Sequence, residues 1–305
     1  MSLSSAHDFS FVQLTIPGMT VPGLVASSLA VPSFLYGTAW KEQETERLTR
    51  LALEAGFRGV DTANQRRHYF EAGVGAAVKR AIASGVVRRE EVFLQTKFTY
   101  VGSQDHRLPY DSNADLATQV RQSFASSLEH LQVDSIDSYV LHGPSSGRGL
   151  TAGDREVWRT MEELEAAGRT RFLGISNVAL DQVEELWKHA VVPPTFVQNR
   201  CFASLGWDRA VRAFCRAKGI VYQGFSLLTA NGRELQHPAF LRLVARIGKS
   251  PAQVVFRFAH QVGMLPLTGT TDVKHMREDL EAHRFELSEE DVRLIETIGT
   301  AATAR

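Results

Sequence analysis

The sequence predicts a parallel (β/α)8 TIM barrel, an α/β fold closed on itself, with an N-terminal hairpin and an extra C-terminal helix. Three observations predict it. From about residue 33 onward, short β-rich runs alternate with stretches carrying apolar residues at helical spacing, and no Pro/Gly/Ser-rich linker divides them. The β-rich runs number eight, the count that closes a parallel barrel through right-handed crossovers. The length of 305 residues suits one such barrel, which takes roughly 250 residues before insertions.

The elements follow in order. Residues 9–31 are punctuated by Gly and Pro and are expected as a hairpin closing the barrel floor, within an extension over 1–32 of one domain spanning 1–305. The candidate strands are SFLYGT (33–38), FRGVDT (57–62), EVFLQTK (91–97), SIDSYVLH (135–142), RFLGIS (171–176), TFVQ (195–198), GIVYQGF (219–225) and MLPLTG (264–269). Helical spacing is clear in TERLTRLALEAG (45–56), VEELWKHA (183–190) and DRAVRAFCRAKG (208–219). Two helix starts are signalled chemically. Ser250-Pro251-Ala252-Gln253 offers a capping serine, a proline in the first turn and a glutamine three residues on, and Ser288-Glu289-Glu290-Asp291 repeats the logic for a C-terminal helix outside the barrel. An open doubly wound sheet is the alternative, and no GxGxxG follows the first strand to support it.

Thirty-four basic residues balance thirty-four acidic ones, so nothing global steers the chain to nucleic acid or to an anionic membrane, and a small-molecule partner is expected. Cys201 and Cys215 form neither a disulfide framework nor a metal-ligand pattern. They read as core fillers in a reducing, cytoplasmic compartment. The stretch from Pro22 to Tyr36 is too short and interrupted to span a bilayer. The ten histidines show no metal-ligand spacing, so no metal is expected, and the chain is expected as a monomer or weak oligomer.

Active sites of parallel barrels lie at the C-terminal ends of the strands. Three candidate strands finish in an ionisable residue: Asp61, Lys97 and His142. Any one of these could be a capping or ion-pairing residue. Three converging on one rim point instead to chemistry.

On these motifs the chain resembles the aldo-keto reductase superfamily. The matching runs are GTAW (37–40), GFRGVDTA (56–63), FLQTK (93–97), YVLHG (139–143), MEELEAAGRTRFLGISN (161–177), VQNR (197–200), FSLL (225–228) and HMREDL (275–280). The resemblance implies reduction of an aldehyde or ketone to an alcohol by a nicotinamide cofactor, with a tyrosine as general acid assisted by Lys97, Asp61 and His142. A tyrosine is a weak acid at its free pKa of about 10, so a neighbouring cation is expected to lower it. Lys97 takes that role, Asp61 holds the ammonium, and His142 orients the carbonyl.

The tyrosine is the point of departure. The family pattern places it five residues after the aspartate, where this chain has Arg66. Counting back from Val74-Gly75 puts His68 at its place, and the nearest phenol is Tyr69. Tyr69 is preferred because only a phenol supplies the expected acid. The alternative has His68 facing the site and Tyr69 packed on the next helix, which would suit histidine as the acid, a redox-neutral enzyme on the same barrel or a nucleotide-binding sensor.

The resemblance further implies that Gly37, Thr38, Ser176, Asn177 and Gln198 contact the cofactor. Phe225 replaces the usual stacking tyrosine, and Ser226 and Leu228 lie on the loop that meets the pyrophosphate. Gly269, Thr270, His275, Glu278 and Asp279 fall at the adenosine end. Gly269-Thr270 stand where NADP-dependent relatives often have Lys-Ser, which leaves NADH open, and NADPH is the expected cofactor because the family most often uses it. Trp40, His68, Phe98 and Tyr100 are expected around a small carbonyl substrate, covered by the loop 99–113 and by 143–152.

Overall fold

The computed structural model describes the strand Val12–Gln13 and residues 30–300. Eight parallel strands close into a barrel: β1 (Leu35–Gly37), β2 (Gly59–Asp61), β3 (Phe93–Phe98), β4 (Ile136–Leu141), β5 (Thr170–Ser176), β6 (Phe196–Arg200), β7 (Val221–Phe225) and β8 (Met264–Thr268), with β8 pairing back to β1. All eight expected strands are present and in the expected order. Outside the barrel, Val12–Gln13 pairs antiparallel with Ala30–Val31. This is the base of the expected hairpin, and residues 14–29 lie outside the described residues.

Helices follow the strands in turn: α1 (Thr45–Ala55), α2 (Glu71–Ala83), α3 (Leu116–Leu131), α4 (Ala152–Ala166), α5 (Leu180–His189) and α6 (Arg209–Lys218). Two helices, α7 (Pro238–Ile247) and α8 (Pro251–Gln261), separate β7 from β8, and α9 (Val273–Leu280) and α10 (Glu289–Thr297) complete the shell. The capping boxes expected at Ser250 and Ser288 both form. Helix α7 is an addition to the expected plan. It begins at Pro238 behind the capping His237 and stops at Gly248, whose φ of 69° is a left-handed C-terminal conformation that glycine adopts without Cβ strain.

Side chains alternate across each strand, so every strand feeds two cores. Outward residues such as Leu94, Tyr139, Leu141, Val197 and Tyr222 pack under helix residues such as Leu48, Val74, Val78, Val120 and Phe124. Inside, Leu35, Phe93, Phe196, Val221 and Leu265 form a hydrophobic layer that Val31 joins. The chain entering β1 thus plugs the barrel floor. Two residues up each strand the interior becomes polar, with Gln95, Gln198 and Gln223 fully or nearly buried. Two residues higher lie Lys97, Arg200 and Phe225, at the mouth.

Candidate active site

The polar layer anchors the mouth. Asp61 Oδ1 accepts from Gln95 Nε2 at 2.7 Å and from Gln198 Nε2 at 3.0 Å. A carboxylate accepts only, so both amides must turn their NH2 groups toward it. Their remaining hydrogens reach Gln223 Oε1, each at 2.8 Å, and Ser138 Oγ donates to Gln95 Oε1.

Lys97 rises beside this layer with 0% of its surface exposed. Its ammonium donates to both oxygens of Asp61, at 2.7 and 2.8 Å, and to the Thr62 carbonyl at 2.7 Å. Three N–H groups have three acceptors. Burial lowers the Lys97 pKa, and the charge and hydrogen bonds of Asp61 oppose that.

The lengthened segment after Asp61 closes as one helical turn. The N–H groups of His68 and Tyr69 both donate to the Gln65 carbonyl, at 3.1 and 3.0 Å. This turn takes up the added length and sends the two side chains apart. The Tyr69 ring lies 5.4 Å from Lys97 Nζ and 5.9 Å from the His142 ring. His68 instead stacks on Trp40 with ring centroids 4.0 Å apart, its Nδ1 2.8 Å from Gln65 Oε1. Trp40, 70% exposed, marks the outer rim. Just past Tyr69, Glu71 fixes the start of α2, its carboxylate bonded by Thr96 and Ser127.

Electrostatics at Tyr69 differ from the expectation. Its pKa is raised, first by burial and then by the Asp61 charge, with Arg200 pulling the other way. Lys97 is bound to Asp61 on both oxygens, and its ammonium still lies 5.4 Å from the Tyr69 ring. The resting group is a protonated acid. His142 is pushed down to about 3, chiefly by burial and then by repulsion from Lys97, so the imidazole is neutral.

A cleft of about 1420 Å³ opens over these residues. Of the expected contact residues, its wall carries Gly37, Trp40, His68, Tyr69, Tyr100, Ser176, Asn177, Gln198, Phe225, Ser226, Leu228, Gly269, Thr270, His275, Glu278 and Asp279. Two expectations fail. Phe98 is fully buried in the outer core, against Tyr100 and Tyr110. Alternation explains this, because Lys97 faces the barrel interior and its neighbour must face out. Thr38 is also fully buried, and its hydroxyl donates to the Asp61 carbonyl at 2.9 Å. It supports the end of β2 and does not line the cleft.

At the far end of the cleft, Asp279 accepts from Thr268 Oγ1 at 2.8 Å, and burial pushes its carboxyl up to about 6. Lys41 donates to the Gly269 carbonyl at 2.7 Å, and burial pushes its ammonium down to about 8. Sequence reasoning missed Lys41, Thr99 and Arg200, and of the interior glutamines it named Gln198 but missed Gln95 and Gln223. The two missed glutamines had a signal: Gln95 and Gln223 each sit two residues before the last residue of a candidate strand, Lys97 and Phe225. Arg200 lines the cleft with its guanidinium 5.5 Å from the Phe225 ring centroid.

These features define a (β/α)8 protein in which a buried polar cluster and a cleft of about 1420 Å³ share the C-terminal mouth. The chain belongs to the aldo/keto reductase family, whose sequence profile matches residues 33–300. It is 32% identical over 289 residues to deoxymugineic acid synthase 1-D of Triticum aestivum, covering 87% of each chain. It is 29% identical to NADPH-dependent codeinone reductase 1-1 of Papaver somniferum, covering 92% of this chain and 90% of the other. Among solved structures it resembles an aldo-keto reductase complexed with NADPH, with a TM-score of 0.76 and 26% identity over 88% of this chain and 84% of that one.

Proposed function

We propose that the protein reduces an aldehyde or ketone to an alcohol with NADPH, using Tyr69 as proton donor. The observation that carries the reading is the meeting of Tyr69, Lys97, Asp61 and His142 beside a cleft of about 1420 Å³, room for a dinucleotide.

The residues present fit a nicotinamide nucleotide. Both amide hydrogens of Gln198 are used by Asp61 and Gln223, which leaves its oxygen as acceptor for a carboxamide NH2. Ser176 Oγ accepts from Asn177 and keeps its own hydrogen to donate to the carboxamide oxygen. Phe225 offers a ring face for stacking. The relatives named above include a reductase described as NADPH-dependent and a structure complexed with NADPH.

When bound, the cofactor supplies hydride. Tyr69 holds a proton near the carbonyl oxygen and gives it up as negative charge develops there. Lys97 then stabilises the phenolate. His142, neutral, donates a hydrogen bond to the same oxygen and orients it. Asp61 holds the ammonium, and the glutamine layer holds Asp61. Trp40 and Tyr100 wall the substrate side. The partner is a small carbonyl compound, and the setting inferred is cytoplasmic. Among the described residues no helix is long and apolar enough to cross a membrane.

The test is loss of NADPH absorbance on adding a panel of small aldehydes and ketones to the purified chain. Steady oxidation that depends on the carbonyl supports the reading. Tight NADPH binding with no turnover across the panel would favour a nucleotide sensor.

A further inference from the structure

Thr99 follows directly on β3, lines the cleft and is only 2% exposed. Its hydroxyl oxygen lies 2.7 Å from His142 Nδ1, and the roles of the two atoms follow from counting hydrogens. The neutral imidazole carries one hydrogen, on either Nδ1 or Nε2. If Nδ1 carried it, the Thr99 hydroxyl would have to accept. Its own hydrogen would then lack an acceptor, because among the described residues His142 Nδ1 is the only partner of Thr99 Oγ1. Burying a donor unpaired is unfavourable. If Thr99 donates to the Nδ1 lone pair, both atoms are satisfied and the ring hydrogen sits on Nε2.

We propose that Thr99 is a positioning residue that sets the tautomer of His142, holding the imidazole neutral with its hydrogen on Nε2, ready to donate to an oxygen in the cleft. The His142 backbone is fixed as well: its N–H donates to the Phe98 carbonyl at 2.9 Å and its carbonyl accepts from Asn177 Nδ2 at 2.7 Å. Protonation of Nδ1 would likewise strand the Thr99 hydrogen, so the same contact favours the neutral ring. In the Nδ1–H tautomer, Nε2 would turn a lone pair toward the substrate oxygen, a repulsive arrangement. The role toward a carbonyl rests on the reductase reading; the tautomer does not.

The experiment is long-range proton–nitrogen correlation on the full chain with 15N-labelled histidine, with and without NADPH, in the native protein and in Thr99→Val and Thr99→Ser. The native protein and Thr99→Ser are expected to show His142 with hydrogen on Nε2 and a bare Nδ1. Thr99→Val is expected to shift population to Nδ1–H and to lower kcat by about 10-fold or more, with NADPH affinity unchanged. Thr99→Ser should keep activity within about 3-fold of native. An Nδ1–H or doubly protonated ring in the native protein overturns the proposal, as does a Thr99→Val spectrum identical to native. If Thr99→Val does not fold, the native and serine spectra still decide it. Absence of turnover in the native protein would remove the reductase reading and leave the tautomer result standing.

Discussion

Replacing Lys97 by methionine removes a fully buried ammonium and leaves its three acceptors behind. Thr62 O loses a donor, and Asp61 keeps only the amides of Gln95 and Gln198 on Oδ1. Removing one partner of a buried pair costs about 3–5 kcal/mol, because the other charge stays buried and uncompensated. The two surviving donors place Lys97→Met toward the lower end of that range, a Tm loss of about 5 °C for a chain of this size. Asp61→Asn in the same background removes the stranded charge while its amide oxygen can still accept from both glutamines. The double variant should therefore be more stable than Lys97→Met alone, with a coupling of about 2 kcal/mol or more. Urea unfolding of the native protein, both single variants and the double variant measures this. The reasoning is wrong if Lys97→Met loses less than about 1 kcal/mol, or if adding Asp61→Asn restores nothing.

Three further outcomes are expected. Phe98→Ala should cost about 3–5 kcal/mol as a core truncation and leave NADPH affinity unchanged, since the ring packs on Tyr100 and Tyr110 away from the cleft; weakened NADPH binding at native stability would contradict that placement. His142 is pushed down to about 3 and His260 to about 4, both mainly by burial, so the folded state holds fewer protons than the unfolded chain below the ordinary histidine value. Stability should be full above about pH 6.5, fall as pH drops toward these two values, and fall less steeply in His142→Asn, which urea titrations across that range would read. Gly269→Lys should tighten NADPH binding by about 10-fold without changing NADH binding. A Cβ there meets only ordinary contacts, 3.6 Å from the Gly37 carbonyl and 3.7 Å from Lys41 Nζ, and fluorescence titration with both nucleotides separates the outcomes.

Much of this architecture was legible because barrel strands announce themselves twice, as apolar runs and by what ends them. Asp61, Lys97 and His142 were found in that way. Phe98 and Thr38 were misplaced because motif neighbours were read as one patch, whereas alternation along a strand sends adjacent side chains to opposite faces. Tyr69 was legible as a residue type but not as a position: only the turn bonded to the Gln65 carbonyl shows how the longer segment sends Tyr69 inward and His68 outward. The expected lowering of the tyrosine by Lys97 failed because a sequence does not show how deeply the phenol is buried, and burial raises its pKa ahead of the Asp61 charge. Helix α7 was readable after the fact from His237-Pro238 and the apolar spacing in AFLRLVARI (239–247).

The central claim is that Tyr69 is the proton donor and His68 is not. NADPH oxidation with one good aldehyde, measured for the native protein, Tyr69→Phe and His68→Gln, tests it most directly. Tyr69→Phe should lower kcat by about 100-fold or more with NADPH affinity intact, and His68→Gln should keep kcat within about 5-fold of native. Full activity in Tyr69→Phe together with collapse in His68→Gln would contradict the account.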